Sequence, residues 1–123
     1  MPRVKRSSMA QFAMLATLNK LVSLSPERER PALRRRTISA LARLREQEVL
    51  SPEDAASAMG DSLFDPDWSV RALALSQIER SGAAAFCVSG RLVRFALEEP
   101  RPLLRARARA LLERLGVCES TLV

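Results

Sequence analysis

The chain has 123 residues, of which 47% are apolar and only 4% aromatic, and a net charge of +6 that suits an anionic partner. This length fits one domain, and a core of leucine, alanine, valine and methionine favours an all-α fold. The absence of histidine and tyrosine removes the commonest metal ligand and the usual general base, so we expect no catalytic, cofactor or metal site.

The N-terminal segment is basic. Residues 1–7 are predicted to form a flexible basic arm, and no acidic residue precedes Glu27. This composition resembles a mitochondrial transit peptide, which is the alternative to a basic arm before an ordinary first helix. Because no apolar run of about 18 residues exists, we expect an intracellular protein, cytoplasmic or, in the alternative, mitochondrial.

Six helices are predicted from apolar spacing and from the proline and glycine residues between them. Ser51-Pro52 and Asp67 are expected helix starts, and Gly82 is expected to end a helix in the left-handed conformation. Gly90 weakens the fifth helix. The predicted segments are 8–24, 31–48, 51–64, 67–81, 84–98 and 102–116, followed by a C-terminal tail over 117–123.

The chain matches itself at an offset of 34 residues. Residues 63–82 align with 97–116, so that Val70-Arg71-Ala72 matches Leu104-Arg105-Ala106 and Gly82 matches Gly116. A weaker match at an offset of 37 puts Leu33-Arg34 on Val70-Arg71, with Arg45 where the glycine should be. A period of this length is typical of helical pairs that bury their apolar faces by stacking.

At Asp65-Pro66-Asp67, Val70-Arg71 and Gly82 the chain resembles HEAT/armadillo-like helical repeats, although Arg101 stands where Asp67 does in the other copy. The resemblance implies a short α-solenoid of about three helix-turn-helix repeats, over 8–48, 51–82 and 83–116. It also implies that certain arginines join adjacent repeats through acids. These arginines are Arg71, Arg105 and Arg34, and the acids are Asp65, Asp67 or Glu99.

Five arginines fall on one flank of the second helix of each repeat, at about 280° to 300° on a helical wheel. We call them the arginine surface: Arg36, Arg43, Arg80, Arg107 and Arg114. A guanidinium offers a fork of donors that suits carboxylates and phosphates. The alternative is solvated surface, in which Glu46 and Glu79 lie near some of these arginines.

Three further features have both a functional and a structural interpretation. Trp68 is either an interface anchor or a cap on the core between repeats. Thr121 and Val123 resemble a C-terminal PDZ ligand, a degenerate pattern. Cys87 and Cys118 belong to no metal-binding pattern, and we expect two idle thiols.

These observations predict a non-catalytic protein-binding or scaffold module. The alternative is a nucleic-acid-binding module that contacts phosphates through its arginines. Residues 51–82 carry six acidic and two basic side chains, which interrupts any basic track along the chain. We therefore favour a protein partner with mixed charge.

Overall fold

The computed structural model describes residues 30–117, which form helices joined by short turns, with no β-strand among them. Two 3-10 segments accompany the α-helices: Gly60–Phe64 extends the second helix, and Gly82–Val88 precedes the fourth. The all-α prediction is confirmed for this part of the chain. The five α-helices are α1 (Arg30–Glu46), α2 (Pro52–Met59), α3 (Trp68–Arg80), α4 (Ser89–Glu98) and α5 (Pro102–Arg114).

Several predictions fall outside the described residues. They concern the basic arm, the first predicted helix at 8–24, Cys118, and the C-terminal motif of Thr121 and Val123.

The helix starts follow the predicted caps. The Ser51 hydroxyl accepts a hydrogen bond from the backbone N–H of Asp54 at 3.1 Å, one residue before Pro52 begins α2. The Asp67 carboxylate accepts from the backbone N–H of Ser69 at 2.8 Å, at the start of α3. Both contacts satisfy N–H groups that have no partner inside the helix.

The helix ends repeat every 34 residues. Glu48, Gly82 and Gly116 have φ values of 61°, 63° and 81°, in the left-handed region that terminates helices. Arg45, which stands at the position of the glycine when the offset is 37, lies inside α1, and the left-handed residue after α1 is Glu48. Helix α1 is longer than α3, with 17 residues against 13, and the offset between matching positions falls from 37 at Arg34 and Arg71 to 34 at Glu48 and Gly82.

The fourth helix begins later than the sequence predicts. Residues 84–98 were expected to be one helix, but Gly82–Val88 adopts 3-10 geometry and α4 starts at Ser89. Ala85 and Val88 are both buried and three residues apart, which matches the three residues per turn of a 3-10 helix. Gly90 is consequently the second residue of α4 rather than its middle.

The core lies between the long helices α1, α3 and α5 on one side and α2 and α4, with their 3-10 segments, on the other. Helix α3 contacts α1 and α5, while α2 contacts α1 and α3, and α4 contacts α5. The 3-10 segments connect α2 with α4, since Gly82–Val88 contacts α2 and Gly60–Phe64 contacts α4. The largest fully buried side chains are Phe95, Ile38, Met59, Leu63, Leu75, Ile78, Leu92, Leu111 and Leu112.

Candidate interaction surface

The arginine surface is distributed over three helices that contact one another in sequence. Arg36 and Arg43 belong to α1, Arg80 to α3, and Arg114 to α5, and all four are exposed. Arg80 forms a loose ion pair with Glu46, at 3.8 Å, with both side chains more than half exposed. An exposed pair of this kind contributes little to stability, so these guanidinium groups are accessible to a partner.

Arg107, the fifth member, differs from the others. Its Nη2 donates to Oε1 of Glu79 at 2.5 Å and to Oγ of Ser76 at 2.9 Å, and so connects α5 to α3. The Arg107 side chain is two-thirds buried, at 34% exposure. Its charge is therefore already paired with a carboxylate of the same chain, and it is less available to a partner than the other four.

A structural role also accounts for part of the arginine surface. Arg43, Arg80 and Arg114 each lie in the last turn of a helix, where a positive charge interacts favourably with the helix dipole. Arg45 shares the last turn of α1 and donates to the backbone oxygen of Gln77 at 2.6 Å. Burial lowers the pKa of the Arg45 guanidinium, as does the neighbouring Arg80 charge.

An apolar groove of about 490 Å³ lies beside Arg114. It opens between the C-terminal ends of α3 and α5, and Phe86 on its wall is 57% exposed. We call it the Phe86 groove. It is lined by Glu79, Gly82, Ala83, Phe86, Leu111, Arg114 and Leu115.

Sequence reasoning missed this groove. The sequence signal is the run Gly82 to Ala85, whose small side chains leave Phe86 as the only large one in the 3-10 segment. The concavity itself depends on the distance between the ends of α3 and α5. A helical wheel describes one helix at a time and gives no such distance. The structure, and not the sequence, therefore shows that Phe86 and Arg114 line the same groove.

The arginine–carboxylate contacts implied by the repeat resemblance are present at two positions. Arg34 donates Nε and Nη2 to the carboxylate of Asp65, at 2.5 and 3.0 Å. Arg71 donates the same two nitrogens to the carboxylate of Glu99, at 2.7 and 3.1 Å. We call these contacts the arginine–carboxylate junctions. Paired donors of this kind fix the relative position of the segments as well as binding them.

Both carboxylates of the junctions are also held by their own turns. Asp65 accepts from the backbone N–H of Asp67 at 2.9 Å, and Glu99 accepts from that of Arg101 at 3.1 Å. The side chain of Glu99 is 1% exposed and that of Asp65 8% exposed. A buried carboxylate needs such partners, because a charge removed from water without them is costly.

Trp68 lies at the first residue of α3 and is 49% exposed. The guanidinium of Arg101 covers its ring at 4.1 Å from the centroid, a cation–π contact between the starts of α3 and α5. One face of the ring is thus occupied within the chain. The other half of the ring is open to a contact with another molecule, so both interpretations of Trp68 stay predictions.

The described part of the chain contains no group of three His, Cys, Asp or Glu side chains that could hold a metal ion. No helix between residues 30 and 117 has the length and apolar character needed to cross a bilayer. The exposed thiol of Cys87 contacts the backbone oxygen of Glu53, and partial burial raises its pKa. No protein-family model, curated protein or solved structure matches this chain.

Proposed function

We propose that this chain is a non-catalytic module that binds another protein. The observation that carries this proposal is the Phe86 groove, an apolar recess whose lining includes the exposed Arg114. Protein interfaces combine a desolvated apolar or aromatic anchor with a polar rim, and arginine is enriched in them. Phosphate contacts, by contrast, require only the guanidinium groups.

The partner segment that fits this surface carries an apolar side chain and an acidic one close to it. The apolar side chain would lie against Phe86, Leu111 and Leu115, and the carboxylate would accept from Arg114 at the edge of the groove. Glu79 lines the same groove, but Arg107 already pairs with its carboxylate. The unpaired charge beside the groove is therefore positive, which favours an acidic partner.

For the architecture we propose a short α-solenoid of three HEAT/armadillo-like repeats and six helices. The 34-residue spacing of Glu48, Gly82 and Gly116 supports it, as do the contacts of α3 with both α1 and α5. The two arginine–carboxylate junctions connect segments at related positions. The five described helices would be joined by a further helix at the start of the chain, the one expected over residues 8–24.

A nucleic-acid-binding module is the second candidate, because Arg36, Arg43, Arg80 and Arg114 are exposed. Binding to phosphates would not require the Phe86 groove. The arginines at the helix ends also have a structural role, since they interact with the helix dipoles. For the compartment we propose the interior of the cell, cytoplasmic or mitochondrial. The free thiol of Cys87 supports it, since reducing conditions keep exposed thiols unoxidised.

A comparative affinity purification tests the proposed function. We expect the wild-type chain to capture one specific protein that Phe86→Ser and Arg114→Glu both lose. Phe86 is exposed, so its loss should leave folding intact. The matched control is Leu103→Ser, because Leu103 is 73% exposed but lies outside the groove. A partner that the Leu103 variant loses equally would contradict the assignment of the groove.

Salt titration with a DNA duplex and an RNA strand separates the two candidates. If these arginines neutralised phosphates, the triple variant Arg43→Gln, Arg80→Gln and Arg114→Gln would reduce the slope of the logarithm of the binding constant against the logarithm of salt concentration by up to about 3. We expect weak binding in both forms. Sub-micromolar binding by the wild type at physiological salt, lost in the triple variant, would establish the nucleic-acid function instead.

A further inference from the structure

Arg105 in α5 repeats the position of Arg71 in α3. Nη1 of each arginine donates to the two carbonyl oxygens of the acid–proline pair before its own helix, which for Arg105 are those of Glu99 and Pro100, at 2.7 and 3.1 Å. Arg71 also donates Nε and Nη2 to a carboxylate further along the chain. Within residues 30–117, Nε and Nη2 of Arg105 have no such acceptor. Arg105 is thus oriented for a junction that no described residue completes.

Arg109 lies one turn after Arg105 and extends the same open side of α5. The corresponding residues of the other two long helices are Ile38 and Leu75, which are buried in the core at 1% and 0% exposure. Arg109 is exposed, and it makes no ion pair with any residue that the structure describes. The side of α5 that corresponds to a buried apolar contact in α1 and α3 is therefore charged.

An exposed leucine of α4 occupies the repeat position of a buried one. Leu63 and Leu97 each precede a junction carboxylate by two residues. Leu63 is fully buried and lines a cavity together with Arg94 and Phe95 of α4. Leu97 is 53% exposed, since no described helix covers α4 in the way that α4 covers Leu63.

We propose that Arg105, Arg109 and Leu97, which we call the Arg105 face, bind an acidic helix of another protein. That helix begins with an acid–proline turn whose carboxylate receives Nε and Nη2 of Arg105. The two existing junctions supply the chemistry, since both carboxylates immediately precede a proline: Asp65-Pro66 and Glu99-Pro100. A second acid of the helix pairs with Arg109, and an apolar side chain covers Leu97.

Charge favours this occupant over a second copy of the chain. Two copies joined symmetrically through the Arg105 face would bring Arg105 and Arg109 of each against the same arginines of the other, and like charges in contact are destabilising. An acidic helix meets complementary charge instead. The Arg105 face is distinct from the Phe86 groove and does not rest on the protein-binding function proposed for that groove.

Fluorescence anisotropy with a defined peptide tests the proposal. The probe reproduces residues 63–81 of this chain, which contain Asp65-Pro66, with a side-chain crosslink that keeps it helical. We expect saturable binding to the full chain, weakened about tenfold by Arg105→Gln in the protein or by Asp65→Asn in the peptide. Because the two changes remove one contact, combining them should cause no further loss.

Two controls separate binding from folding. Arg109→Gln, which removes no hydrogen bond within the described residues, should also weaken binding several-fold and leave the melting temperature unchanged. Phe86→Ser should bind the peptide like the wild type, which distinguishes this face from the Phe86 groove. Equal affinity of the wild type and both arginine variants, or no saturable binding, would overturn the proposal.

Two other outcomes would also overturn it. Sedimentation velocity showing self-association that Arg105→Gln abolishes would identify a second copy as the occupant. A DNA duplex that binds with the same dependence on Arg105 and Arg109 would identify a phosphate backbone instead.

Discussion

At the scale of single residues, Glu48 is the one described residue other than glycine with a positive φ. It ends α1 in the conformation that Gly82 and Gly116 adopt after α3 and α5. The Cβ atom of any other residue crowds the following carbonyl oxygen in this conformation, whereas glycine has no Cβ and no such penalty. Glu48 is also exposed, so its side chain gains little in return.

Replacement of Glu48 by glycine should therefore stabilise the protein. We expect Glu48→Gly to raise the free energy of unfolding by about 1 kcal/mol, because the left-handed strain disappears. The matched change Gly82→Ala should lower it by a similar amount, since its φ is 63°. Urea denaturation of the two variants and the wild type measures both effects. Destabilisation by Glu48→Gly would show that residue 48 does not require the left-handed conformation.

At the scale of elements, the start of α3 depends on one carboxylate. Asp67 accepts from the backbone N–H and the hydroxyl of Ser69, and these hydrogen bonds hold the pKa of Asp67 below its usual value. A carboxyl group whose pKa is lowered by folding stabilises the folded state at pH values above its unfolded pKa. That contribution is lost as the pH falls through the folded pKa.

The pH dependence of stability tests this cap. Asp67→Ala should lower the free energy of unfolding by about 1 kcal/mol at pH 7, because the N-terminal N–H groups of α3 lose their acceptor. The difference from the wild type should shrink as the pH falls below the unfolded aspartate value of about 4 and through the lowered pKa of the folded Asp67 carboxyl group. Urea denaturation at pH 7 and pH 3 measures it. Ser69→Ala should reduce the pH dependence, and a pH-independent difference for Asp67→Ala would contradict the ionic cap.

Helix starts were predictable from the sequence because capping is local chemistry. Ser51-Pro52 and Asp67 satisfy N–H groups only two or three residues away, so the residues that decide the structure are adjacent in the chain. The 3-10 geometry of Gly82–Val88 was not predictable, since it depends on burying Ala85 and Val88 against other helices. The left-handed conformation after α1 was not predictable either, because Glu48 stands where a glycine is usual.

The candidate surface was predictable only in part, for a related reason. The periodicity of each helix identified which arginines share a flank, and four of the five are exposed. It did not identify the pairing of Arg107 with Glu79, which depends on the distance between α3 and α5. The Phe86 groove depends on that same distance. Contacts within an element can therefore be predicted from spacing, whereas contacts between elements require the structure.

At the scale of the whole molecule, the acidic stretch at 51–82 has a structural explanation. Several of its carboxylates pair with arginines from the flanking, more basic segments: Asp65 with Arg34, Asp61 with Arg91, and Glu79 with Arg107. The segregation of charge along the sequence thus serves attraction between neighbouring segments. The acidic stretch is consequently weaker evidence against nucleic-acid binding than its composition indicates.

The core provides a stability test of the whole chain. Leu112 is fully buried, so Leu112→Asn should lower the free energy of unfolding by roughly 3 to 5 kcal/mol, through lost apolar contact and an unpaired amide. Leu103→Asn, on the same helix but 73% exposed, should change it by less than about 0.5 kcal/mol. Thermal melting followed by circular dichroism compares the two. An unchanged melting temperature for Leu112→Asn would show that the core assignment is wrong.

The short sequence distance across the arginine–carboxylate junctions has a consequence for folding kinetics. Arg34 and Asp65 are 31 residues apart, and Arg71 and Glu99 are 28 apart. Chains whose contacts join nearby residues close only small loops while folding, and they fold faster than chains of equal size with distant pairings. Each junction can form as soon as its two flanking segments are helical, without waiting for the rest of the chain. A segment emerging during synthesis could therefore acquire its native contacts before the last helix exists.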